Sequence, residues 1–412
     1  MTFEFFLPES GTLKNINLKL RNKQGTEIFS FRTQLKISDK DWDKEKQRPK
    51  NIYLKKCKKL NAKLDKIKKE VSGYIRNQQL KNKQPTKREI SKEIKKICLE
   101  ETVELSRTSL LYFTQWYIDY KEELICNSTY KRYKVFFRLL ERFEGFICKK
   151  LNIEEVNSDF VRDFLVFGKA EEYSENTIYR TIHFVKTILN FAERKGIRTC
   201  VRELEIRREK QSKQMITLSE TEIKKIEQTD IPKELQPAKD WLLISCYTGQ
   251  RFSDFMNFDV QKLNSIKGKC CLFFEQQKTK KEIILPLHRK VLEIITKNGG
   301  NFPPFLANHI YNEQIKQVGK YADICEIAKA RKRIGFRTKD IETEKYNVLT
   351  SHIGRRSFAT NFYGKIPTPL LMEATGHSTE QMFLRYINPQ NDERVLALGD
   401  YFDRVFEERV AV

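Results

Sequence analysis

Between Leu349 and Asn388 the chain gathers side chains suited to phosphodiester chemistry. The stretch reads LTSHIGRRSFATNFYGKIPTPLLMEATGHSTEQMFLRYIN. His352 and Arg355 stand three residues apart, which puts them on one face of a helix. His377 follows Gly376 at the end of a short apolar segment, and Tyr386 comes nine residues later on the next one. A phenol and several cationic or imidazole donors can therefore converge from neighbouring helices. Tyr386 would supply a nucleophile, and the Arg and His residues would supply donors for charge that develops on phosphate oxygens.

A second constellation lies about a hundred residues upstream. Thr248-Gly249-Gln250-Arg251 is followed by Asp254. The glycine permits a tight turn that sets the Arg251 guanidinium at the start of a helix, where its planar fork can grip two phosphate oxygens. Taken alone, the same pattern fits a helix-capping arginine paired with Asp254. Further on, the segment Gln276-Gln277-Lys278-Thr279-Lys280-Lys281 joins two short apolar runs, Cys271–Gln276 and Ile283–Leu287, that read as strands. An ammonium on such a turn can protonate a leaving oxygen. Lys278 is the first choice, with Lys280 and Lys281 as rivals. Two of these three lysines are expected to do no more than touch a DNA backbone. The sequence holds no P-loop and no carboxylate-rich metal cluster, so no cofactor and no metal is expected.

Read in order, these motifs resemble the two catalytic boxes of the tyrosine recombinases, the phage integrase family: Thr-Gly-x-Arg, then His-x-x-Arg, Gly-His and a Tyr nine residues on. The resemblance implies a catalytic set of Arg251, Lys278, His352, Arg355, His377 and Tyr386. Tyr386 would attack the scissile phosphate to give a 3′-phosphotyrosyl bond and a free 5′-hydroxyl, and rejoining would need no ATP. Arg251 and Arg355 would clamp the phosphate, His352 would bond it or shuttle a proton, and Lys278 would act as general acid. The glycine often found in the family's lysine turn is absent. Arg356 stands where the family often has His and is expected to contact the DNA backbone. The family exchanges strands through a Holliday junction with four protomers on two duplexes. That implies attachment-site DNA and a homotetramer as partners, with a directionality factor and a DNA-bending host protein as accessory ones. A type IB topoisomerase-like enzyme, a non-catalytic DNA-binding regulator on the same fold, and a metal-dependent nuclease are the alternative readings.

The elements that must position these residues read as mainly α with small β-sheets. Residues 215–412 give a mixed α/β domain. Its apolar helix Trp241–Tyr247 runs into the arginine motif, and helical patterns follow at Glu313–Arg331, Ser351–Tyr363, Thr368–Ala374, Thr379–Tyr386 and Glu393–Phe406. The last is amphipathic through Val395, Leu398, Phe402, Val405 and Phe406. The resemblance implies that this tail docks on a neighbouring protomer, with packing in cis as the alternative. Ser219 with Glu222, and Thr86 with Glu89, have capping-box spacing. Residues 105–202 read as four helices with aromatic cores, starting near Leu111, Ser128, Ser158 and Ser174. They resemble the SAM-like core-binding domain, and the basic residues Lys131, Arg132, Lys134 and Arg180 are its candidate DNA contacts, with Lys280 and Arg356 in the last domain. Residues 203–214 are a charged linker. Residues 1–100 combine a hairpin (Asn15–Arg21, a turn at Asn22–Gly25, Thr26–Lys36), a helical start at 38–42, and a basic helical segment. They resemble the arm-DNA-binding module of conjugative-transposon integrases. The whole is a three-part clamp.

Composition agrees. Hydrophobic residues make up 39% with 28 Phe, enough for real cores rather than a disordered chain. The net charge of +23 calls for a polyanionic partner, double-stranded DNA ahead of a membrane surface. Residues 51–100 alone carry 14 Lys and 2 Arg against five acids, a density that favours phosphate contact over a merely solvated helix face. Nine Cys without a CxxC spacing suggest neither a disulfide framework nor a zinc site, and fit a reducing, cytoplasmic, nucleoid-associated bacterial setting. No apolar run is long enough for a signal peptide or a membrane span.

Overall fold

The computed structural model describes residues 1–8, 13–22, 24–52, 54–99, 105–208, 215–334, 337–387 and 399. The chain divides into two compact units, residues 1–210 with 333–339, and residues 211–332 with 340–412.

The first unit opens with an antiparallel sheet of β1 (Thr2–Phe6), β2 (Leu13–Arg21) and β3 (Glu27–Ser38), in that order. Alternation drives it: Ile16, Leu18 and Leu20 point to one face and are fully buried, as a half-buried sheet requires. The expected hairpin is thus present, with Asn22 Oδ1 accepting from the Gln24 and Thr26 amides at its turn. The helical start expected at 38–42 is not. A single 3-10 turn, Asp39–Asp41, leads to Trp42–Asp43 (β4), which pairs with Arg48–Pro49 (β5). Trp42 is drawn into the core instead. The basic segment forms α1 (Lys55–Leu80) and α2 (Lys87–Leu99). Their stripes, Leu60, Leu64, Ile67, Val71 and Ile75 with Ile90, Ile94 and Ile97, close the core over the sheet. The Thr86–Glu89 capping box is formed.

Four helices follow in the same unit: α3 (Leu110–Lys121), α4 (Asn127–Ile147), α5 (Ser158–Ala170) and α6 (Glu175–Arg194). Ser109 and Ser174 cap α3 and α6. The position before α4 is taken by Cys126 rather than Ser128. Most of the aromatic residues are core, with the Phe160, Phe164 and Phe167 rings all against Phe143, while Trp116, Tyr120 and Phe146 are exposed. The helix α1 is also joined to α4, by Lys69 Nζ to Glu144 Oε2 at 2.7 Å.

The second unit holds the arginine, lysine and tyrosine motifs. It comprises α7 (Glu220–Gln228, capped by the Ser219–Glu222 box), α8 (Gln236–Thr248) and α9 (Phe252–Phe255). A three-stranded antiparallel sheet follows, of β6 (Leu263–Ile266), β7 (Lys269–Glu275) and β8 (Glu282–Pro286). Then come α10 (Arg289–Lys297), α11 (Asn308–Tyr321), a two-stranded sheet of β9 (Ile327–Ile334) and β10 (Arg337–Glu344), and finally α12 (Ile353–Phe362), α13 (Thr368–Thr375) and α14 (Glu380–Leu384). The helix expected over Glu313–Arg331 therefore stops at Tyr321. Asp323 takes a left-handed backbone (φ 53°) and Ile324 N closes back on Gly319 O, after which β9 begins. Strand β6 and helix α10 were not anticipated. Of the helix expected at Glu393–Phe406, Gly399 alone lies among the described residues, and it is helical. Among the described residues, no helix is long and apolar enough to cross a membrane.

Candidate active site

Helix α8 ends at Gly249, whose φ of 66° is left-handed and easy only for glycine. A Cβ there would also lie 2.4 Å from the Phe358 ring, so the turn is doubly reserved for Gly. The turn delivers Arg251 to the N-cap of α9. Arg251 Nη1 donates to Gln276 Oε1 at 2.9 Å. Its distance to Asp254 Oδ2 is 3.9 Å, too long for a hydrogen bond. Asp254 Oδ1 accepts instead from the Gln277 amide at 2.9 Å. The carboxylate that looked like the partner of Arg251 chiefly holds the lysine turn.

Arg355 comes from α12, whose N-cap position is His352; just before it the Ser351 amide donates to Asn312 Oδ1. Arg355 is 0% exposed. Its Nη1 donates to Gly249 O at 3.0 Å, and its Nη2 to Thr375 O at 2.8 Å and His377 Nε2 at 2.9 Å. One guanidinium thus joins the end of α8 to the end of α13. The expected helix start at Thr368-Pro369 holds within one residue, and Gly376 (φ 72°) is the C-cap that releases His377.

The bonds around His377 assign its tautomer. Arginine only donates, so Nε2 accepts and the proton sits on Nδ1. Nδ1 faces Thr375 Oγ1 at 2.8 Å, and that hydroxyl sends its own hydrogen to Leu371 O. The ring of Tyr386 lies 4.9 Å from that of His377, and Arg355 Cζ is 5.2 Å from the Tyr386 centroid. Tyr386 is half-buried, just past α14, on a small core of Phe358, Leu371, Phe383 and Ile387.

The lysines lie on the β7–β8 turn. Gln276 N donates to Lys281 O and Lys280 N donates to Gln276 O, closing a tight loop. Lys280 takes the left-handed position (φ 55°), where the turn calls for a glycine-like backbone, and its Nζ pairs with Glu275 at 3.1 Å. All three lysines are exposed.

The site is a concentration of positive charge, with the Asp254 carboxylate 3.9 Å from Arg251. Burial, then the facing Arg251, hold Arg355 below its ordinary pKa, at about 10. Burial, then Arg355, Arg251 and Lys281, push His377 down to about 3. His352 keeps an exposed edge, yet crowding of its ring, then the charges of Arg356, Arg355, Arg251 and Lys278, lower its pKa as well. Each of these shifts is the response of a cation short of a counter-charge, and a phosphate diester would supply one.

The structure brings Arg355, His377 and Tyr386 into contact and joins Arg251 to them through Gln276 and the Thr375 carbonyl. It sets Lys278 and Arg356 among the charges felt by His352. Arg356 itself is half-buried. Lys131, Arg132, Lys134 and Arg180 belong to the first unit and form a separate set. Lys131, Arg132 and Arg180 are exposed; Lys134 bonds Gln115 at 3.3 Å and lies over the Tyr130 ring. Sequence reasoning passed over Gln250, Gln276 and Thr375, which tie the motifs together. The available signal was alternation, since Gln276 continues the inward face of Leu272 and Phe274. No group of potential metal ligands occurs among the described residues.

Comparison with known proteins adds to this geometry. The model of the phage integrase family matches residues 207–393, and that of the phage integrase SAM-like domain matches residues 109–199. Among solved structures, an integrase of the transposon Tn1549 in complex with a circular intermediate DNA superposes with a TM-score of 0.55. It is 15% identical, over 71% of this chain and 99% of that one. The site-specific recombinase XerH in a post-cleavage complex with a palindromic difH substrate superposes at 0.50, with 13% identity over 74% and 99% of the two chains. At these identities the likeness is one of fold. No curated protein matches the sequence.

Proposed function

The chain belongs to the phage integrase family of tyrosine recombinases, and from that premise we propose the residue roles by which it performs site-specific recombination of DNA. Tyr386 is the nucleophile. Its oxygen bonds to the scissile phosphorus as the bond from phosphorus to the 5′-oxygen breaks. The phenolic proton passes to His352 or water, and Lys278 gives a proton to the departing 5′-oxygen, so the strand ends in a 3′-phosphotyrosyl bond and a free 5′-hydroxyl. Religation is the reverse, and the phosphodiester energy is kept in the adduct. Arg251 and Arg355 neutralise the non-bridging oxygens as charge develops. His377 holds Arg355 and backs the Tyr386 ring.

The observation that carries this reading is the convergence of Arg355 and His377 on the Tyr386 ring, with Arg251 joined to them through Gln276 and the Thr375 carbonyl. The partner is duplex DNA. Residues 1–100 and 105–202 contribute non-catalytic contacts, Lys131, Arg132 and Arg180 among them, and 203–214 links them to the catalytic domain. Four protomers assemble on two attachment sites and resolve a Holliday junction, with directionality and DNA-bending factors as accessories. No observation favours the strand-passage or regulator readings.

A nicked suicide substrate built from the native locus tests the proposal. Wild-type protein should give a denaturant-stable protein–DNA adduct. Tyr386→Phe should bind the same DNA and give none, a loss of all detectable adduct. An adduct formed by Tyr386→Phe would remove Tyr386 from its role.

A further inference from the structure

We propose that Gln276 is the positioning residue for Arg251, holding its guanidinium in the place from which it meets the scissile phosphate. This rests on the recombinase reading above. The carboxamide is fully buried and makes four hydrogen bonds. Oε1 accepts from Arg251 Nη1 at 2.9 Å and from Thr279 Oγ1 at 2.7 Å, while Nε2 donates to Gln250 Oε1 at 3.0 Å and Thr375 O at 3.1 Å. The amide cannot be turned round. Arg251 offers only donors and the Thr375 carbonyl only an acceptor, so oxygen must face the arginine and nitrogen the carbonyl.

Distances decide which group orients Arg251. Gln276 is at hydrogen-bonding range, whereas the Asp254 oxygen that faces Arg251, Oδ2, is 3.9 Å away and makes no hydrogen bond among the described residues, its Oδ1 holding the Gln277 amide. Gln276 is anchored at both ends. Its backbone closes the lysine turn through Lys280 N and Lys281 O. Its Nε2 shares the Thr375 carbonyl with Arg355 Nη2. Gln250, also fully buried, fixes the far side by donating to Thr248 O and Ala374 O. Room for the amide has been kept: a Cβ on Gly376 would stand 2.4 Å from Gln276 Oε1. A buried polar network of this kind specifies one geometry because each member left unpaired is costly. Displacing a reacting group by an ångström can cost on the order of a hundredfold in rate.

The test is single-turnover cleavage of the suicide substrate by Gln276→Met, which keeps volume and removes the amide. We expect cleavage about a hundredfold slower with DNA affinity unchanged. Placed on Arg251→Ala, the same substitution should add little further loss, because an orienting residue has nothing left to orient. Thr279→Val, on the exposed turn, removes only one donor to Oε1 and should slow cleavage severalfold without lowering the melting temperature. It keeps the question open to measurement should Gln276→Met fold poorly. Wild-type cleavage by both Gln276→Met and Thr279→Val overturns the proposal, as do losses that multiply in the double variant. If Arg251→Ala itself cleaves normally, the failure lies in the recombinase roles rather than in Gln276.

Discussion

Arg355 and Lys278, both proposed for one site, carry the same charge yet are held in opposite ways. Arg355 is sealed in the interior with three acceptors around it, at the ends of α8 and α13. Lys278 stands exposed on a tight loop between β7 and β8. The arginine corner is largely built before any DNA arrives, with Arg355 Nε still without a hydrogen-bond partner among the described residues, and its cost is visible in the depressed pKa values of Arg355 and His377. The lysine is exposed on its turn, which would suit an acid that must meet a departing oxygen rather than a resident phosphate. On the proposed roles, the two regions would divide the work into a prebuilt anion cradle and an exposed proton donor.

If that division is right, mutations on the two sides should differ in kind. Arg355→Ala should have the largest effect and a double one. Cleavage should fall by about a thousandfold or more, as when a preorganised transition-state donor is lost. The fold should also weaken by roughly 1–3 kcal/mol, because the Gly249 and Thr375 carbonyls lose a buried donor. Single-turnover cleavage and thermal unfolding measure the two losses. A large rate loss with an unchanged melting temperature would break the idea of a structural corner. Lys278→Ala should fall next, by roughly a hundredfold to ten-thousandfold on ordinary DNA, with no change in melting temperature. A substrate with a 5′-thiol leaving group needs no proton there and should restore its rate. Absence of rescue would take the acid role from Lys278.

Much of this site could be read from the chain because its motifs are local. Thr248 to Arg251 forms one turn, and Gly376-His377 one helix end, so residue type and spacing state the geometry directly. What lay beyond reach is contact over long separations. Nothing near Gln276 announces that its amide meets Arg251 and Thr375, and a Gln-Gln pair at a strand end looks like ordinary hairpin surface. The fold shows the same pattern. The hairpin β2–β3 and the stripe of α1 declare themselves by period. By contrast, Ile327–Ile334 follows a helix with no Gly or Pro break, so its helical reading fails at Asp323, whose left-handed backbone no local rule demanded. Trp42 likewise left its expected helix for a core assembled from α1, α2 and the sheet.

A smaller effect tests the arginine corner through pH. The folded state holds His377 neutral down to about pH 3, whereas an unfolded histidine takes a proton near pH 6.5. Between those values the unfolded chain binds more protons, so stability must fall as pH drops. The contribution is complete above about pH 6.5 and is lost progressively towards pH 3. His352, shifted in the same direction, adds to the slope. The melting temperature should therefore decline from pH 7 to pH 5, and His377→Asn should flatten part of that decline. An identical slope in the variant would show that the corner does not hold His377 neutral.

The smallest effect belongs to Lys280, and it sharpens the lysine side. Its ion pair with Glu275 is exposed, worth at most about 1 kcal/mol. Its left-handed backbone costs a non-glycine residue roughly 1–2 kcal/mol, while glycine gives back about 0.5–1 kcal/mol through the entropy of the unfolded chain. These terms nearly cancel, so Lys280→Gly should change stability by less than about 1 kcal/mol. It should also leave cleavage at the wild-type rate, because a side chain turned to Glu275 is not the one that meets the 5′-oxygen. The decisive measurement is cleavage of ordinary and 5′-thiol DNA by Lys280→Gly and Lys278→Ala side by side. A loss in the glycine variant that the thiol repairs would move the proton donor two residues along the turn. It would mean that the backbone strain at position 280 is kept for the sake of the ammonium it carries.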